Sequence, residues 1–227
     1  SAVSTNSSLL ILAMLALIIP ATFAQSGNHS IDTLVDLSRI ASIILLGLYA
    51  LFLLFQLKTH SHLFVNSTHH EDEEASLTMK QAIILLVTST ILVGVMAEFL
   101  VGSIEHSADA LGWPPLFIGV ILIPLFGNAA EHFTAVTVAG KNKMDLSIGI
   151  AIGSSTQVAV LIAPITVLIG WLLNVNMSLQ FGLFETIATF VAVLIANSIC
   201  SDGRSNWLEG AMLLGTYAIL AVSFWLA

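Results

Sequence analysis

The chain has 227 residues, of which 57% are hydrophobic and only 9% charged. Water-soluble domains carry roughly 25% charged residues, so composition excludes a soluble enzyme or binding module and indicates a polytopic membrane protein. The net charge of −8 is concentrated in the run Glu71-Asp72-Glu73-Glu74, which gives no basis for a nucleic-acid partner, and the single Cys200 excludes an intrachain disulfide.

Apolar stretches of about 20 residues are long enough to cross a bilayer as helices. Seven such stretches are predicted, at 8–24, 38–57, 78–103, 113–139, 145–173, 181–200 and 206–226. The first residue is Ser1, and no basic leader precedes the first apolar run. The expectation is a chain that starts within a longer protein.

If the spans alternate, Lys58, Lys80, Lys141, Lys143 and Arg204 share the side of the N-terminus and Arg39 faces the other. This bias places the shared side, with the acidic run, in the cytosol. Trp113, Trp171, Trp207 and Trp225 fall near span ends, where interfacial indoles are expected. The sequons at Asn28 and Asn176 would face away from the cytosol but lie against the membrane, so glycosylation is not expected there.

Few ionisable residues are placed at depth: Glu98, Glu131, His132 and Glu185. A carboxylate inside a membrane span is costly and marks a functional site by default. Glu98 is expected near the lumenal end of the third span and Glu131 near the midplane of the fourth. Glu185, at the start of the sixth, reads as a solvated or capping carboxylate.

Glu131 follows Gly127 and Asn128, which weaken the helix and offer both donor and acceptor where water is scarce. The antiparallel fifth span carries its own polar insertion, Gly153-Ser154-Ser155-Thr156-Gln157, expected to be a second helix break at matching depth beyond a tight turn from Gly140 to Asp145. Close helix packing accounts for small residues alone; it does not call for a carboxylate.

A hard cation such as Ca²⁺ takes about six to eight oxygens, and broken midplane helices are how transporters present them. Burial disfavours the charged carboxylate, so Glu131 is expected to hold a proton when no cation is bound. One carboxylate does not neutralise a divalent ion at low dielectric, and a second is expected from elsewhere. An intramembrane protease is not supported, because neither a Gly-x-Ser-x-Gly nor a His-Glu-x-x-His motif is present. His60, His62, His69 and His70 match no defined metal-site spacing.

Gly127-Asn128-Ala129-Ala130-Glu131-His132, Lys143-Met144-Asp145-Leu146 and Gly153-Ser154-Ser155-Thr156-Gln157-Val158-Ala159 together resemble the second signature repeat of the Ca²⁺/H⁺ exchanger (CAX) family, within the calcium/cation antiporter superfamily. Phe184-Glu185-Thr186 and Ser205-Asn206-Trp207-Leu208-Glu209-Gly210 resemble the family's C-terminal part.

The resemblance implies two inverted five-helix halves joined by an acidic cytosolic segment. Residues 1–57 would be the last two helices of the first half, 58–77 the linker, and 78–227 the second half. Only one Gly-Asn-x-x-Glu is present where the family has two. A missing N-terminal half would supply the second carboxylate; a homodimer of short chains is the alternative.

By position, Glu131 is implied to bind Ca²⁺ and H⁺ alternately, with Gly127 offering a backbone carbonyl. Asn128, His132, Ser154, Ser155 and Gln157 would line the site, Glu98 would lie on the ion path, and Glu71, Asp72, Glu73 and Glu74 would attract ions or regulate. The implied activity is proton-coupled Ca²⁺ antiport by alternating access, with no resident cofactor. The setting would be a vacuolar or other acidic-organelle membrane, or the plasma membrane of a prokaryote. A Na⁺- or K⁺-coupled exchanger of the same superfamily is the alternative.

Overall fold

A computed structural model describes residues 2–27, 30–60, 77–200 and 205–227. The acidic run and His62, His69 and His70 lie outside the described residues, as do Asn28 and Arg204. All regular structure among the described residues is helical. It comprises α1 (Ala2–Gln25), α2 (Ile31–Thr59), α3 (Met79–Leu111), α4 (Pro115–Gly127), α5 (Ala129–Gly140), α6 (Met144–Leu172), α7 (Leu183–Cys200) and α8 (Trp207–Leu226). Among the described residues six helices are long and apolar enough to cross a membrane, or seven if the bent pair α4 and α5 forms one span. The protein is therefore an all-α, multi-pass membrane protein.

Local chemistry sets the helix ends. At the start of α3, Thr78 and Gln81 form a reciprocal capping box, Thr78 N donating to Gln81 Oε1 (3.0 Å) and Gln81 N to Thr78 Oγ1 (3.4 Å). Asn206 and Glu209 do the same for α8, at 3.1 and 3.0 Å. Asn142 (φ 58°) and Asn174 (φ 57°) take the left-handed conformation just beyond α5 and α6. There Lys143 N donates to Val138 O and Val175 N to Gly170 O, the six-to-one bonds that satisfy the last carbonyls of a helix.

Glu185 is half-buried and folds back over Gly182, where an added Cβ would strike its carboxylate. This is the geometry of a carboxylate held at its own helix N-terminus.

Prolines account for the widened turns inside α4 and α6. A proline ring clashes with the carbonyl four residues earlier and removes a donor. α4 widens to a π-helical turn at Ile118–Leu122 ahead of Pro124, and α6 does so at Val158–Ile162 ahead of Pro164. The expected break at Gly153–Gln157 is thus displaced. The helix runs regularly through Gln157, and the distortion begins at Val158 because Pro164, not Gly153, perturbs the ladder. The fourth span, by contrast, is broken at Asn128 (φ −100°, ψ 19°), as its Gly-Asn pair predicts.

A second boundary also moves. α3 continues to Leu111 before Gly112 (φ 65°) ends it, so about 20 Å of helix follow Glu98.

The chain divides into two compact units. The first comprises residues 1–65 and 131–216. Within it α1 packs on the first part of α6 and on α7, and α2 packs on the later part of α6. Ala13, Leu45, Tyr49 and Val160 form its buried centre, with Ala16, Phe52, Leu53, Ala159 and Leu161 against them.

On the connection between α6 and α7, the buried Ser38 accepts from the backbone N–H of Leu179 at 3.0 Å. The Arg39 guanidinium lies 5.0 Å over the Trp171 ring and 2.9 Å from Asp36. The second unit comprises residues 66–130 and 217–227, with α3 against the later part of α4. Trp113, Phe117 and Trp225 stack edge-to-face there, with centroids 5.0–6.4 Å apart.

Candidate cation-binding cavity

One cavity of about 340 Å³ opens inside the first unit. It is walled by three helices. α5 contributes Glu131, α6 contributes Gly149, Ile150, Gly153, Ser154, Thr156 and Gln157, and α2 contributes Tyr49, Phe52, Leu53 and Gln56.

Chain geometry explains why Glu131 meets the α6 residues. It lies nine residues before the end of α5, and Ser154 lies ten residues after the start of α6. At 1.5 Å per residue both stand about 14 Å along their helices from the short connection between them, and both line the cavity. On α6 the lining residues recur at helical spacing, with Gly149 and Gly153 one turn apart. An added Cβ at Gly149 would meet nothing within 4 Å, so this glycine leaves open space, not a tight packing contact.

The polar wall holds oxygens suited to a hard cation: the Glu131 carboxylate, the Gln56 and Gln157 carboxamides and the Ser154 hydroxyl. Thr156 is buried, and its hydroxyl donates to Ile152 O at 2.8 Å, so that group serves its own helix. A water takes about 30 Å³ in the liquid, so the volume admits an ion with part of its hydration shell.

Of the residues singled out from the sequence, the structure gathers Glu131, Ser154 and Gln157 on this wall. Ser155 and His132 stand next to lining residues but turn about 100° away around their helices. Ser155 donates to Ala151 O at 3.0 Å. Gly127 ends α4 and Asn128 forms the break, its N–H donating to Pro124 O at 3.0 Å. These two residues and Glu98, which is exposed on α3, belong to the second unit.

The α2 wall was not anticipated. Its signal was present: Tyr49, Phe52, Leu53 and Gln56 follow an i, i+3, i+4, i+7 pattern, which puts them on one helix face. Among the described residues no three His, Cys, Asp or Glu side chains converge.

Comparison with known proteins gives the family. Residues 81–226 match the model of the sodium/calcium exchanger protein family. A Ca²⁺/H⁺ antiporter of Aphanothece halophytica is 43% identical over 96% of this chain, which covers 63% of that protein. The vacuolar calcium ion transporter of Schizosaccharomyces pombe is 38% identical over 97% of the chain, which covers 55% of it. The solved structure of native YfkE superposes with a TM-score of 0.79 at 38% identity, spanning 99% of this chain and 63% of its own. The chain thus spans about three fifths of the length of these relatives. It belongs to the sodium/calcium exchanger protein family.

Proposed function

We propose that the protein is part of a proton-coupled Ca²⁺ antiporter, in which the Glu131 carboxylate takes up Ca²⁺ and H⁺ in alternation. The observation that carries this reading is the meeting of Glu131, Ser154 and Gln157 on one cavity wall within apolar spans. Similarity to a Ca²⁺/H⁺ antiporter and to vacuolar cation/proton exchangers supports protons as the coupling ion.

In the mechanism, Ca²⁺ enters the cavity partly hydrated and exchanges water for the Glu131, Ser154 and Gln157 oxygens. On the far side, protonation of Glu131 removes the charge that holds the cation, and Ca²⁺ leaves. Among the described residues Glu131 is the one carboxylate on the wall, and a lone −1 leaves a divalent ion half-neutralised. The remainder of the full-length protein would contribute the second carboxylate, with residues 1–57 completing its first half. Transport would run from the cytosol into a vacuole or other acidic compartment, or outward in a prokaryote.

The test is Ca²⁺ uptake into vesicles containing the full-length protein after a pH jump. Uptake should follow the proton gradient, and Glu131→Gln should reduce it to background. Uptake that ignores the pH gradient but follows a Na⁺ or K⁺ gradient would replace proton coupling with the other ion. Normal transport by Glu131→Gln would remove Glu131 from the site.

A further inference from the structure

The wall that α2 adds to the cavity has no role in the mechanism above. Tyr49 stands out on it, because it joins the core and the cavity at once. It is only 8% exposed, sits in the buried centre with Ala13, Leu45 and Val160, and packs against Phe52 with ring centroids 6.3 Å apart. Across the cavity Gln157 Nε2 donates to its hydroxyl oxygen at 3.4 Å, a long hydrogen bond spanning 108 residues of sequence. It joins a rigid aromatic to one of the most flexible side chains on the wall.

We propose that Tyr49 is a positioning residue for the cation site, fixing the Gln157 carboxamide so that Oε1 is the end presented to the ion. The proposal rests on the reading of the cavity as a Ca²⁺/H⁺ exchange site.

A carboxamide carries one oxygen and one NH₂, and a hard cation accepts only the oxygen. The nitrogen must therefore be held elsewhere, by an acceptor. The Tyr49 hydroxyl oxygen supplies that acceptor from a ring already locked by packing, so ordering the long Gln side chain does not fall on the cation. A phenylalanine would fill the same space but accept nothing. Gln157 would then present its NH₂ part of the time, and cation binding would bear the cost of turning it.

The experiment uses the full-length protein in vesicles under a fixed pH gradient, with initial Ca²⁺ uptake measured across Ca²⁺ concentrations. Tyr49→Phe is expected to raise KM about five- to tenfold, the scale of one lost neutral hydrogen bond. Vmax should stay within about twofold and the melting temperature should barely move. In a Gln157→Ala background, Tyr49→Phe should add less than about twofold to KM, or to the equilibrium Ca²⁺ affinity where turnover is lost.

An unchanged KM in Tyr49→Phe overturns the proposal. So does an equal rise in the Gln157→Ala background, which would assign Tyr49 a packing role alone. If Tyr49→Phe does not accumulate, Tyr49→Met, which also fills the space without an oxygen, is read by the same criteria. Failure of the underlying reading looks different: the unmodified protein shows no uptake under the pH gradient, or Glu131→Gln transports normally, and both ideas fall together.

Discussion

Glu131 and Gly149 represent two kinds of residue on the cavity wall, and they predict opposite behaviour. Glu131 supplies charge, so Glu131→Gln is expected to abolish exchange while leaving the fold intact, because Gln keeps the shape. Gly149 supplies space. A side chain added there meets no protein atom within 4 Å, and Gly in a helix interior costs about 0.5–1 kcal/mol relative to Ala. Gly149→Ala should therefore hold or raise the melting temperature, and Gly149→Leu should slow initial Ca²⁺ uptake roughly tenfold by filling the cavity. A Gly149→Leu protein that melts normally and transports at the unmodified rate would show that ions do not pass this wall. Both residues sit in motifs visible in the sequence, Glu131 by its charge in an apolar run and Gly149 by its four-residue spacing from Gly153.

At the scale of elements, prolines and caps decide where helices bend and end. The π-helical turns at Ile118–Leu122 and Val158–Ile162 each precede a proline, while the polar run Gly153–Gln157 stays helical. Ser and Thr there bond back to their own helix, as Ser155 and Thr156 do, so their polarity does not force an unwinding. The connection after α6 depends instead on a tertiary bond. Ser38 and Leu179 are buried, and the Ser38 hydroxyl is the acceptor for the Leu179 N–H. Ser38→Ala leaves that N–H unsatisfied, at about 1–3 kcal/mol. The expected result is a melting temperature several degrees lower in detergent, with the KM for Ca²⁺ unchanged. A normal melting temperature would mean the connection is held by other contacts.

For the whole molecule, orientation follows from the basic residues. If seven spans alternate, five of six fall on the side of the turn between α5 and α6 and of the chain's first residues, and that side is expected to face the cytosol. α6 is 29 residues long, about 43 Å at the helical rise, so its two ends are expected to report opposite faces of the membrane. In a Cys200→Ser background, Lys143→Cys should react with a membrane-impermeant maleimide from the cytosolic side. Ser178→Cys should react only from the other. The reverse pattern would invert the orientation and, with it, the proposed direction of Ca²⁺ movement.

The sequence by itself determined the all-α, multi-pass fold class and picked out Glu131, Ser154 and Gln157, which the structure gathers on one cavity wall. Apolar length, helical rise and a short turn are local quantities, and together they fix how far along the membrane normal a residue lies. The sequence did not determine which residues at that depth face one another. Ser155 and Ser154 are equivalent in composition, yet only Ser154 lines the cavity, because rotation about a helix axis is set by what packs against it. Nor did it reveal the α2 wall. Tyr49 and Gln157 are 108 residues apart, and only the packing of α2 on α6 brings the phenol to the carboxamide. Depth is written along one chain segment, whereas facing depends on two, and that second relation exists only in the tertiary structure.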